Sequence, residues 1–384
     1  MAFLENKYPI GKLNASGLIE VAKDTFIYYE QRGNPKGPAV VYNHGGPGGA
    51  SRPQCSQWFD PDYYNIILYD QRGTGQSQPS VGKQTAEPKQ FGELTIADMA
   101  QDLDTLRRAL NIKQWLVFGG SWGSTLSLYY ATQYPQYVTG LIIYGIFLNT
   151  MAEMDVYYNE TLFKERFPGL GEEAFSLLLS YANIKGQKID PNSSQSFVEA
   201  YYQLCVNEND SKAQYLWTMF EGFNDNPTEE SLKNLKNIPE EIEPITRTLA
   251  VFESTLFRLA YSDLNLLSAE LLINLQNIDI RIVQGMDDTE APPIFAQKLV
   301  DALLKIKPDL WYRFVDGKHD PNSSDKLVQT LLECTNDFKS KTNLANARQF
   351  LNSVTHLLPQ SLFSLRNKDK KEVIEQEKAK FSIQ

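Results

Sequence analysis

Residues 115–135 read WLVFGGSWGSTLSLYYATQYP. Trp115 to Phe118 form an apolar run with the composition of a buried strand, and STLSLYYATQYP reads as a helix with Pro135 beyond its end. Between them, Gly119, Gly120 and Gly123 surround Ser121. So many small residues permit a tight turn, and a bare turn is one reading. The other is a mount, in which a serine sits on a sharp strand-to-helix reversal. Small residues two before and two after it are then needed because the backbone folds back on itself. A helix starting at that point also directs backbone N–H groups toward charge developing near the serine. The strand and helix flanks favour the mount.

Working outward, strand-like runs alternate with helical patterns through residue 147. TFIYYEQRG, AVVYNHGG, YNIILYDQRG, WLVFGG and LIIYGIF read as strands. IADMAQDLDTLRRALN carries Ile96, Met99, Leu103, Leu106 and Leu110 at helical spacing. Nearly all-apolar strands alternating with helices predict a mostly parallel sheet covered on both faces. From 148 to 268 the chain turns aromatic, acidic and helical, with few strand-like runs. Strands resume at IDIRIVQGMDD and LWYRFVDGKHD. The expected organisation is a core in two parts, 1–147 and 269–341, interrupted by a helical cap at 148–268. A C-terminal helical extension or tail, 342–384, carries His356, Pro359 and the charged run RNKDKKEVIEQEKAK, which reads as a solvated helix or frayed tail.

Composition excludes some functions. A net charge of −10 over 384 residues disfavours a nucleic-acid partner, which needs clustered Lys and Arg. Three scattered cysteines form neither a disulfide framework nor a CxxC metal spacing, which points to a reducing compartment. The N-terminal residues lack the features of a secretory signal, and no window approaches a membrane span. A cytoplasmic protein needing neither metal nor organic cofactor is expected.

A serine hydroxyl is a poor nucleophile at neutral pH, so Ser121 needs a base, and the base needs an orienting acid. Of only three histidines, His44 lies upstream in HGGPG and His356 in the atypical tail. His319 follows the last strand, where an α/β-hydrolase fold delivers its base, although a structural loop histidine is the alternative. The acid should follow the preceding strand, and residue chemistry leaves Asp287 and Asp288 nearly even. NHGGPGG, residues 43–49, resembles a loop that donates an oxyanion-hole N–H from Gly45 or Gly46, with Trp122 supplying the second. His44 reads as a brace for this loop.

With these residues placed, the chain resembles the proline iminopeptidase (prolyl aminopeptidase) family of serine peptidases. The segments carrying the resemblance are HGGPGG, DQRGTGQS, GGSWGS, LWTMFEG, AVFESTLF, GMDDTEAPP and GKH, and together they span roughly residues 15–340. The resemblance implies an α/β-hydrolase fold with a helical cap inserted in it. It also implies Ser121 as nucleophile, Asp288 as acid and His319 as base. In the family two cap glutamates hold the substrate's free amine, and the positions in register are Glu221 and Glu253. The implied activity is release of an N-terminal residue, preferentially proline, from short peptides through an acyl-enzyme. Tyr144, Met286, Asp320 and Gln76 depart from the family pattern around the site, and none removes a triad member.

Two carboxylates facing a cationic imine give charge-assisted hydrogen bonds, and an acylated nitrogen would leave them unpaired. From composition alone, Glu221 and Glu253 read as solvated acids of an acidic insertion, and the matched flanking motifs favour the amine-binding reading. Phe147 in GIFL is a plausible pocket wall or a core residue. The competing functions are an esterase or amidase acting on small substrates without a free amine, and a catalytically silent binding protein.

Overall fold

The computed structural model describes residues 7–355, with side chains described through residue 340. His356 and the rest of the expected tail lie outside the described residues. Eight strands form one sheet in the order β1-β2-β4-β3-β5-β6-β7-β8. They are β1 (Leu13–Ala22), β2 (Thr25–Gly33), β3 (Ala39–Asn43), β4 (Asn65–Tyr69), β5 (Trp115–Ser121), β6 (Val138–Ile146), β7 (Ile280–Gly285) and β8 (Trp311–Val315). β2 pairs antiparallel with both β1 and β4, and every other pairing is parallel. All five residues of β4 and all six of β7 are buried, as expected of strands covered on both faces.

The remaining elements are helices. α1 (Ile96–Ala109) and α2 (Trp122–Gln133) belong to the first half of the fold. Thr95 caps α1 in a reciprocal box with Asp98, which satisfies two end groups that would otherwise lack partners. Between β6 and β7 lie α3 (Met151–Tyr158), α4 (Glu160–Arg166), α5 (Leu170–Ile184), α6 (Ser194–Tyr202), α7 (Ser211–Asp225), α8 (Glu229–Lys236), α9 (Pro244–Phe257) and α10 (Ala269–Leu272). α11 (Pro293–Leu304) joins β7 to β8, and α12 (Asp325–Thr355) follows β8. Through Asn336 the chain forms one compact unit, and α12 continues from Asp337 into a second.

The inserted helices are held by aromatic packing. Tyr158 stacks on Trp217 at 5.0 Å and on Phe197 at 5.3 Å, and Phe163 stacks on Phe220 at 4.7 Å. Such pairs contribute roughly 0.5–1.5 kcal/mol each beyond their burial. Entry to the insertion is fixed at Glu153, whose carboxylate accepts the N–H groups of Leu148 and Thr150. Burial raises that carboxyl to about 7, against the pull of those hydrogen bonds. No helix among the described residues is long and apolar enough to cross a membrane.

Candidate active site

The expected reversal stands at the end of β5. Ser121 lies at φ 55°, ψ −132°, a left-handed conformation rare for a side-chain-bearing residue and stored where surrounding structure imposes it. Close packing does the imposing. A Cβ on Gly119 would run into the Gly123 carbonyl and Ser127 Oγ, and one on Gly123 into the Asn43 carbonyl. The turn thus brings β5, α2 and the end of β3 into backbone contact, and Ser121 becomes the first residue before α2. Its Oγ makes no hydrogen bond among the described residues.

The other two members of the expected triad come from loops after β7 and β8, parallel strands farther along the sheet. Asp288 follows β7 and is buried, while its neighbour Asp287 is exposed. His319 follows β8, and its Nδ1 lies 2.9 Å from Asp288 Oδ2 and 3.1 Å from Oδ1. Asp288 is held in turn: Gln284 Nε2 donates to its Oδ2 at 3.0 Å, and the Ala291 N–H donates to its Oδ1 at 2.7 Å. The other end of the imidazole faces a residue that sequence reading missed. His319 Nε2 is 3.4 Å from Glu290 Oε2. Burial works against the charged imidazolium, but the charges of Glu290 and Asp288 outweigh it and raise His319 to about 9.

The glycine loop after β3 approaches Ser121 closely. A Cβ on Gly45 would lie 3.3 Å from Ser121 Cβ and 3.7 Å from its Oγ, so a bare backbone lets the loop pass beside the serine without crowding it. His44 Nε2 accepts the Gln71 N–H at 3.0 Å, and the Gln71 side chain donates to the His44 carbonyl at 2.9 Å. His44, buried and bonded to Gln71, therefore braces the loop.

Ser121 opens onto a cavity of about 400 Å³ whose lining includes Gly46, Phe147, Glu221, Glu253 and Glu290. Trp217, Glu221 and Asp225 sit at successive i, i+4 positions of α7 and share one helix face. Tyr158 donates its hydroxyl to Glu221 Oε1 at 2.6 Å, and Trp217 Nε1 donates to Glu253 Oε2 at 2.8 Å. The aromatic cluster that packs the insertion thus also aims its acids. Burial raises Glu221 to about 7, opposed by the Tyr158 hydrogen bond and the charge of Arg166. Burial, then the facing charge of Glu221, pushes Glu253 well above the carboxylate range. Phe147, 6% exposed, is both cavity wall and core, tilted against Phe257 at 5.4 Å.

The model of the alpha/beta hydrolase fold matches residues 38–325. A proline iminopeptidase of Arabidopsis thaliana is 34% identical over 322 residues, 82% of this chain and 78% of that protein. One from Neisseria meningitidis serogroup A is 32% identical over 336 residues, 84% and 97% of the two chains. The chain belongs to the proline iminopeptidase family of α/β hydrolases. Among solved structures, the proline iminopeptidase of Mycobacterium smegmatis is similar at a TM-score of 0.51 and 17% identity, covering 85% of this chain and all of that one, which speaks for the fold. Within the family frame, the residues that motif reading missed are Glu290, Gln284, Asp225 and Tyr158. Only the helical spacing of Asp225 from Glu221 was visible beforehand.

Proposed function

We propose that this hydrolase is a serine exopeptidase that removes the first residue, preferentially proline, from short peptides with a free N-terminus. One observation carries the reading: Ser121 opens onto the same cavity as two carboxyls, the buried Glu253 and the half-buried Glu221, aimed by hydrogen bonds from Trp217 and Tyr158. Two desolvated carboxyls are costly unless a cation pairs with them, and a peptide's terminal ammonium is such a cation. Its capture positions the adjoining carbonyl for Ser121. A peptide with an acylated nitrogen leaves the carboxyls unpaired and is refused.

Chemistry proceeds by acyl transfer. Ser121 Oγ attacks the carbonyl of the first residue while His319 takes its proton. Asp288 holds the ring by Nδ1 and stabilises the imidazolium. The backbone N–H groups of Trp122 and of Gly46 or Gly45 receive the oxyanion. His319 then protonates the leaving amine, and water hydrolyses the acyl-enzyme with the same base. Phe147 and the aromatic residues around it favour a compact apolar ring at the first position.

A panel of aminoacyl fluorogenic amides, each with and without an N-acetyl cap, tests the substrate. The expected result is preferred turnover of uncapped proline, with capped analogues at least about 100-fold slower, because an unmet buried charge costs several kcal/mol. Equal turnover of capped substrates would favour an esterase or amidase instead. Ser121→Ala is expected to abolish both hydrolysis and labelling by a fluorophosphonate.

A further inference from the structure

Glu290 has no part in the mechanism above, yet it stands where that mechanism is most sensitive. It lines the cavity beside Ser121, and its Oε2 is 3.4 Å from His319 Nε2, the nitrogen that must accept the Ser121 proton. Asp288 already holds Nδ1 on the opposite edge. The imidazole is therefore clamped between two acids, whereas a nucleophile–base pair needs only one. A carboxylate at Nε2 favours a proton there, and a protonated Nε2 cannot serve as base.

We propose that Glu290 is a positioning residue that holds the Nε2 edge of His319 in the resting enzyme and thereby sets the pH at which the base becomes free for Ser121. The inference rests on the reading of Ser121 and His319 as nucleophile and base. Glu290 competes with Ser121 Oγ for one nitrogen, and only Ser121 gains when the proton is lost.

The surroundings fit this role. Facing Glu290 are His319 from the loop after β8, Asp288 from its own loop, Asp225 from the end of α7, Glu253 from α9 and Arg166 from α4. Arg166 is turned aside: it donates to the Thr289 carbonyl and lies 4.6 Å over the Phe167 ring. The nearest cationic partner for Glu290 is then the imidazolium itself. Burial raises the Glu290 carboxyl to about 8, His319 opposing and Asp225 adding to the rise. The two groups consequently titrate as a pair, in the range where activity is to be gained or lost.

A neutral fluorophosphonate tests this without a titrating substrate, because its rate of reaction with Ser121 follows the fraction of free base. In the wild type that rate should climb with pH toward the His319 transition near about 9. Glu290→Gln keeps the shape but cannot carry the charge, so the climb should move down by about one pH unit, and the variant should react severalfold faster between about pH 8 and 9, where Glu290 is ionised in the wild type. Glu290→Asp, with its carboxylate drawn back by one methylene, should fall between them. An unchanged profile in Glu290→Gln overturns the proposal. If that variant does not fold, the His319 ring can be titrated by NMR in the wild type, its signal assigned by loss in His319→Gln. The same titration in Glu290→Asp should give a lower midpoint, which supports the proposal; an unchanged midpoint, or a wild-type midpoint at or below the ordinary 6.5, overturns it. Persistent labelling of Ser121→Ala would instead sink the nucleophile assignment, a failure distinct from that of Glu290.

Discussion

On the proposed reading, Glu253 sets stability against function in one side chain. It is 6% exposed, accepts a hydrogen bond from Trp217, and faces a second acid across the cavity. Its folded-state pKa lies above the ordinary value, so ionisation opposes folding. The cost is absent at acid pH, grows as pH rises through the carboxylate range and is fully present above the folded pKa. Glu253→Gln keeps an acceptor for Trp217 without that cost. The variant should melt higher than wild type at pH 8, by about 2 °C for each kcal/mol relieved, and alike near pH 4. The same change should lower kcat/KM for uncapped proline amide by at least about tenfold, because a charge-assisted partner of the ammonium is lost. Calorimetry at the two pH values, with one assay, checks both. A variant that melts lower at pH 8 and keeps full activity would refute the pairing. Glu221 and Glu253 could be named because the family resemblance gives their positions a role. Glu290 could not, because its meaning depends on a contact across 29 residues with His319, which no local pattern encodes.

At the scale of elements, the reversal after β5 is specified by space as much as by conformation. Gly123, the second residue of α2, lies directly against the backbone of Asn43. Gly123→Ala must therefore push β3 and α2 apart, and backbone cannot yield as a flexible side chain does. A loss of about 3 kcal/mol or more is expected, with activity falling further than stability because the loop carrying Gly45 moves with β3. Urea unfolding and fluorophosphonate labelling would measure the two effects, and a fully labelled, equally stable variant would contradict the packing account. This element was readable in advance because strand, turn and helix signals are all local. So were β2 to β8, whose apolar runs are dense. β1 was not read as a strand, and its burial pattern explains why. LNASGLIEVA alternates exposed and half-buried residues on an edge strand, supported by β2 on one side only. The antiparallel pairing of β2 with β4 was likewise hidden, since strand direction follows from the chain's global path.

At the scale of the molecule, the chain carries a net charge of −10, and its cavity gathers Glu221, Asp225, Glu253 and Glu290 around one serine. Arg166 lies in the field of Glu221 and Glu290, and its hydrogen bonds to Thr289 and Asn224 keep it engaged within the wall. A cavity lined by one sign of charge with low-dielectric walls focuses its field toward the opening and draws in cations. The consequence for catalysis depends on substrate charge rather than on chemistry. Raising ionic strength from about 0.05 to about 0.5 M shortens the Debye length from roughly 14 to roughly 4 Å, which screens approach but leaves the desolvated pairing at the cavity floor nearly intact. For a cationic proline amide kcat/KM should fall severalfold, mainly through KM, with kcat held. For a neutral fluorophosphonate the inactivation rate should stay within about twofold. The contrast separates long-range attraction from contact: if both probes lost rate equally, salt would be perturbing the fold. If neither changed, the acids would be neutralised before substrate arrives, each holding a proton that the ammonium must displace. Proton release on binding, measured in buffers of different ionisation enthalpy, would then carry the signature instead.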